Sequence, residues 1–131
     1  MADRLKLDGA LALVTGAAGG IGAALAGGLA ARGARLALAD RDAEGLERVR
    51  AGLGNRAEAS AHALDLTDRA ALEALPGAVA AAHGGAPALL INNAGIAHGG
   101  SFEELDEAGF DAVMAVNFEA PVRLTRALLP E

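Results

Sequence analysis

An α/β fold, a parallel sheet of about four strands in the order 3-2-1-4 with helices on both faces, is what this sequence predicts. Three observations lead there. Short apolar runs alternate along the chain with longer helix-patterned segments, joined by short connections. The first apolar run passes through the glycine-rich turn Thr15-Gly16-Ala17-Ala18-Gly19-Gly20-Ile21-Gly22 straight into an alanine-rich helix. Hydrophobic residues fill 53% of the 131 positions, enough for a real core in one domain expected to span residues 1–131.

Taken in order, Ala10 to Thr15 is predicted as the first strand and Ile21 to Arg32 as a helix ended by Gly33. Arg35 to Ala39 is the second strand, ending at Asp40, and a helix follows from about Ala43 to Leu53. Glu58 to Leu64 is more polar, which suits a strand at a sheet edge. A helix over Asp68 to Ala82 has Thr67 as a candidate cap and Gly84-Gly85 as its stop, with Pro76 expected to shift or kink it. Ala88 to Ile91 is the fourth strand, followed by a loop from Asn92 to Ser101 and a long helix over about Glu104 to Leu129. Strands joined through helices pair in parallel by right-handed crossovers, so the ends of the first and fourth strands meet at the switch point where open parallel sheets bind ligands. The glycine turn sits at that crevice. Its glycines let the backbone turn tightly and approach a pyrophosphate, and the N–H groups opening the next helix face the anion.

Composition removes several function classes. The formal net charge is −6 with no basic cluster, so neither nucleic acid nor an anionic membrane is an expected partner. There is no cysteine, which excludes disulfides and thiolate metal sites and fits a reducing, cytoplasmic setting. No apolar stretch reaches the roughly 20 residues that span a bilayer, and Asp3, Arg4, Lys6 and Asp8 do not read as a signal peptide. The only aromatic residues are three phenylalanines, so helix and sheet must pack closely through small side chains. His62, His83 and His98 lie in separate elements with no ligand pair nearby, so no metal site is expected. His98 reads as a solvated loop residue near the crevice, and Glu103, Glu104, Asp106 and Glu107 read as negative charge favouring a helix N-terminus.

Asp40 stands about 20 residues beyond the glycine turn, where a carboxylate accepts hydrogen bonds from both adenosine ribose hydroxyls and repels the extra phosphate of NADP. NAD is therefore favoured over NADP. Arg41 argues mildly the other way, since a guanidinium pairs well with a 2′-phosphate, and Asp40-Arg41-Asp42 also reads as a solvated turn before a helix.

The spacing Thr-Gly-x-x-x-Gly-Ile-Gly, Asp40, Asp65-Leu66 and Asn92-Asn93-Ala94-Gly95 form four motifs in order, and from about Leu5 to Pro130 the chain resembles the classical short-chain dehydrogenases and reductases. The resemblance implies a Rossmann-like three-layer fold whose cofactor contacts are Gly16, Ala18, Gly19, Gly20, Ile21 and Gly22 in the turn, with Asp40 and Arg41 beside the ribose. It assigns the adenine amine to Asp65 and a ring nitrogen to the Leu66 N–H, although Asp65, Thr67 and Asp68 are also helix-capping types. It places Asn93, Ala94 and Gly95 on the cofactor side and gives Asn92 mainly to sheet support. NADP-preferring relatives often carry a basic residue where Gly19 stands.

By the same resemblance Asn117 is the asparagine of a catalytic Asn-Ser-Tyr-Lys tetrad, its backbone carbonyl holding a water at a helix irregularity. Pro121 has no N–H to offer that carbonyl, and an ordinary kinked helix with one tolerated polar residue is the plainer alternative. The other tetrad members are missing. The chain has no tyrosine, its single lysine is Lys6, and neither Ser60 nor Ser101 occupies the serine's place. It reads as the dinucleotide-binding part of an NAD(P)-dependent oxidoreductase acting on an alcohol or carbonyl, truncated before strand five and inactive alone. A non-catalytic NAD-binding or regulatory module and an interaction protein with a vestigial loop are the alternatives. Truncation leaves the edge of the fourth strand open, so self-association to a homo-oligomer is expected.

Overall fold

A computed structural model describes residues 5–129. Asp3 and Arg4, used above for the leader argument, and Pro130 at the far end of the motif series lie outside the described residues. Four parallel strands form one sheet in the order β3-β2-β1-β4, as predicted: β1 (Leu11–Thr15), β2 (Arg35–Asp40), β3 (Ala59–Ala63) and β4 (Leu89–Ile91). β1 is central and wholly buried, and β3 is the polar edge. The helices are α1 (Gly20–Ala30), α2 (Ala43–Leu53), α3 (Arg69–His83), α4 (Glu107–Met114) and α5 (Ala120–Leu128).

Strand alternation divides the core into two layers. Ala12 and Val14 of β1 with Leu36 and Leu38 of β2 face α1 and α2, meeting Ala26, Leu29 and Leu46. Leu11, Leu13, Ala37 and Ala39 point the other way, against Leu72, Leu75 and Val79 of α3 and Leu124 of α5. Helices thus cover both faces, and the contacts are made by alanine and leucine rather than by aromatic bulk.

The helix over residues 69–83 keeps Pro76 inside it, and Leu72, Leu75 and Val79 form one buried stripe on both sides of the proline. Of the two capping candidates, Thr67 and Asp68, the cap is Asp68, which accepts from Ala71 N–H at 3.1 Å. The helix expected from Glu104 instead begins at Glu107, capped by Asp106, after a short 3-10 turn at Phe102–Glu104 closed by a Ser101–Glu104 capping box. Between α4 and α5 the chain makes a π-helical turn, Ala115–Glu119, in which Ala120 N–H donates to the Ala115 carbonyl. That irregularity surrounds Asn117 and precedes Pro121, where the sequence places it.

Candidate functional site

The site lies at the C-terminal ends of β1, β2 and β4. Thr15 ends β1 with a buried hydroxyl that accepts from Asn93 N–H at 3.1 Å and Ala94 N–H at 3.0 Å and donates to the Ile91 carbonyl at 3.4 Å. Asn93 Nδ2 donates to the carbonyls of Thr15 at 3.0 Å and Gly16 at 3.2 Å. These bonds replace the ladder that the two strands lose where they diverge. Support of the strand ends therefore falls to Asn93, not Asn92, whose side chain makes no hydrogen bond among the described residues.

This closeness dictates Gly16. Its φ is +64°, and a Cβ there would lie 2.8 Å from Ala94 Cα and 3.0 Å from Ala94 N. Gly22 is equally constrained, since a Cβ on it would collide with the Gly16 carbonyl as the first turn of α1 packs on the loop. Gly20 differs: nothing lies within 4 Å of its would-be Cβ. The protein's own packing does not require glycine there, and the residue borders the cleft.

The start of α1 is unusual for this chain. Asp42, Asp68 and Asp106 cap α2, α3 and α4 through their side chains, whereas the N-cap of α1 is Gly19, with no side-chain cap and no acidic residue in the first turn. The N–H groups of that turn have no partner within the helix and carry the positive end of its dipole. They border a cleft of about 300 Å³ lined by Gly19, Gly20, Ile21, Gly22 and Asn93. Gly16, Asp40, Ala94 and Gly95 are shared between this cleft and a second of about 310 Å³, which Arg41, Asp65, Leu66 and Ile96 also line. A larger, shallow apolar groove of about 510 Å³ runs over the outer face of α1 past Ala24, Leu25 and Arg32. It meets the first cleft at Gly20 and Ile21 but holds no carboxylate and none of the β1 and β4 strand ends, which mark the paired clefts as the site.

Asp40 joins the two clefts. Its Oδ2 accepts from Ala18 N–H at 3.1 Å and its Oδ1 from Asp42 N–H at 3.0 Å, so the carboxylate is fixed and also tethers the glycine loop. Asp65 Oδ1 accepts from Thr67 N–H and Thr67 Oγ1, both at 2.8 Å. Those two bonds, with the nearby Arg41 guanidinium, hold the Asp65 carboxyl below the usual carboxylate range. Its Oδ2 makes no hydrogen bond among the described residues.

Asn117 acts through its side chain. Nδ2 donates to the Ile96 carbonyl and Oδ1 accepts from Ile96 N–H, each at 2.8 Å, clasping the backbone of the loop that walls the second cleft. Sequence reasoning looked only to its backbone carbonyl. It also passed over Thr15, for which a hydroxyl at the end of a buried strand, just before the glycine turn, was the available signal. Histidine placement is corrected too: His62 and His83 converge on Ser60, each with Nε2 2.7 Å from its Oγ. Among the described residues no group of three or more His, Cys, Asp or Glu is placed to hold a metal ion.

The family model for the short chain dehydrogenases matches residues 10–131. The chain belongs to the short-chain dehydrogenase family. Its relatives include D-threitol dehydrogenase of Mycolicibacterium smegmatis, 42% identical over 94% of this chain and 47% of that protein. Galactitol 2-dehydrogenase (L-tagatose-forming) of Cereibacter sphaeroides is 44% identical over 93% and 47%. Among solved structures, a metagenomic short-chain oxidoreductase in complex with NADP superposes with a TM-score of 0.86 at 43% identity, over 95% of this chain and 57% of that one. The 3-ketoacyl-(acyl-carrier-protein) reductase of Brucella melitensis complexed with NADH gives 0.87 at 36% identity, over 95% and 50%. This short-chain dehydrogenase chain spans about half the length of the curated relatives it matches. The family and the Rossmann-like sheet expected from the motifs are both found. No described helix is long and apolar enough to cross a membrane.

Proposed function

We propose that the chain is the dinucleotide-binding part of a short-chain oxidoreductase acting on an alcohol or carbonyl, and that it binds NAD in preference to NADP. The observation that carries this reading is the Asp40 carboxylate, fixed by two backbone N–H groups where the clefts meet. There it would accept from the adenosine ribose hydroxyls and repel a 2′-phosphate. Arg41 would attract that phosphate, but it shares its charge with the ionised Asp65 across the second cleft. The first-turn N–H groups of α1 would hold the pyrophosphate, Asp65 Oδ2 and Leu66 N–H the adenine, and Asn93, Ala94 and Gly95 the wall beside the second ribose. A nicotinamide bound here supplies or accepts a hydride. Neighbours in complex with NADP and with NADH support the ligand class and leave the preference to Asp40.

The residues of this chain bind and orient, and they do not move the substrate's proton. With no tyrosine and Lys6 as the sole lysine, this sequence does not contain the proton-transfer pair implied by the family, so we infer binding without turnover. A non-catalytic NAD-binding module predicts the same binding. An interaction protein with a vestigial loop predicts none. Asp40→Ala is expected to weaken NADH more than NADPH in a fluorescence titration, and equal losses for the two would refute the assigned preference.

Self-association belongs to the same reading. β4 is an edge strand of three residues, and Phe110, Met114, Phe118 and Val122 form an exposed apolar stripe at four-residue spacing along α4 to α5. Light scattering at micromolar concentration is expected to report a mass above the monomer; a well-behaved monomer would contradict it.

A further inference from the structure

Away from the nucleotide site, four side chains form a hydrogen-bonded chain between the edge strand β3 and the last turn of α3. Ser60 Oγ lies 2.7 Å from both His62 Nε2 and His83 Nε2, and His83 Nδ1 lies 3.2 Å from Glu58 Oε1. Residues 58, 60 and 62 share one side of the strand by its two-residue alternation. The His83 side chain is 1% exposed, whereas that of Glu58 is 60% exposed. From β2, Arg35 Nη1 donates to the His83 carbonyl at 3.0 Å, fixing the helix end on the sheet.

The donors and acceptors close in one direction when both imidazoles are neutral. His62 Nε2–H donates to Ser60 Oγ, Ser60 donates to His83 Nε2, and His83 Nδ1–H donates to Glu58. One added proton on His83 is accommodated: His62 takes its Nδ1–H tautomer, the Ser60 hydrogen turns to the freed His62 Nε2, His83 Nε2–H donates to Ser60, and the imidazolium faces the Glu58 carboxylate. A second proton is not. Both Nε2–H groups then aim at one hydroxyl oxygen, the hydroxyl hydrogen loses its acceptor, and two cations flank the same atom. The charged groups facing the pair are Glu58, the residue just before β3, and Arg35 on β2; Glu58 bonds to His83 rather than His62, and Arg35 adds positive charge.

We propose that Glu58, Ser60, His62 and His83 form an acid-sensitive latch, which holds β3 to the end of α3 when at most one imidazole is charged and releases it when both are. β3 runs directly into Leu64, Asp65 and Leu66, so release loosens the wall of the second cleft and lowers dinucleotide affinity. This consequence rests on the function proposed above; the latch itself does not. Burial, and then the charge of His83, push the His62 pKa below its ordinary value. A group depressed in this way contributes full stability above the unfolded imidazole value of about 6.5. That stability is lost as pH falls from there through the lowered pKa, because the unfolded chain takes up the proton first.

The test compares the chain with its His62→Gln variant, and with His83→Gln as a second variant, at about pH 7.5 and about pH 5.5. Each is measured by thermal melting and by NADH fluorescence titration. Glutamine keeps an amide N–H for Ser60 and cannot become charged. The unsubstituted chain is expected to lose melting temperature on acidification and to lose NADH affinity by up to about tenfold per pH unit for one linked proton. Both losses should shrink in the variants. Equal pH dependence of melting in chain and variants overturns the latch. Absence of NADH binding at either pH overturns the nucleotide reading instead, and the melts still decide the latch.

Discussion

Gly16→Ala is expected to destabilise the chain by about 2–5 kcal/mol, whereas Gly20→Ala leaves the melting temperature almost unchanged and removes most of the nucleotide affinity. The two substitutions add the same methyl group four residues apart. At Gly16 it must adopt φ near +64°, which costs about 1–2 kcal/mol for an L-residue. It must also enter a space bounded at 2.8–3.0 Å by the Ala94 backbone. Backbone cannot rotate away as a side chain can, and Ala94 is pinned by its N–H bond to Thr15, so an overpacking cost of about 1–3 kcal/mol is added. At Gly20 the φ is not positive and the methyl meets nothing of the protein. Gly20 borders the space assigned to the pyrophosphate, which the methyl is expected to narrow. Displacing the anion from the α1 N–H groups forfeits charge-assisted bonds of about 1.5–3 kcal/mol, on the order of tenfold or more in affinity. Thermal melts and NADH titrations of the two variants separate the effects. A Gly20→Ala variant that binds as well as the parent would remove the pyrophosphate from that position.

Thr15→Val is expected to cost about 1–3 kcal/mol, while Thr15→Ser costs less than about 1 kcal/mol. Valine matches threonine in shape, so packing against the buried strand is kept. What disappears is the acceptor of Ala94 N–H and one of the two acceptors of Asn93 N–H, which keeps the Ile91 carbonyl, beside a side chain only 2% exposed. Leaving one buried donor unpaired costs about 1–3 kcal/mol. Serine retains the oxygen and loses one methyl. Urea unfolding of the three forms checks the order, and a valine variant as stable as the parent would mean that the β1–β4 junction does not depend on the hydroxyl.

Much of this was legible in the sequence because its signals are local. Strand alternation and crossover handedness determine the order 3-2-1-4, and the polarity of Ser60 and His62 marks β3 as an edge. The glycine turn, Asp40 and Asp65 are short-range patterns whose chemistry follows from residue type and position. What escaped depends on contacts distant in sequence. Thr15 meets Asn93 and Ala94 across more than 70 residues, and Asn117 clasps Ile96 across 21. His83 reaches Ser60 across 23, which is why three histidines in separate elements did not read as a cluster. Pro76 stays inside α3 because a proline penalty is a local cost, and burial of Leu72, Leu75 and Val79 against the sheet outweighs it. Of two adjacent asparagines, the one that bonds back to β1 is decided by the turn after β4, where Asn93 N–H also donates to the Ile91 carbonyl.

Isothermal titration calorimetry of the chain with NADH, followed by NADPH, tests the central claim that the paired clefts form a dinucleotide site. Saturable binding at one site per chain, tighter for NADH, is the predicted result. No saturable heat with either nucleotide would contradict it.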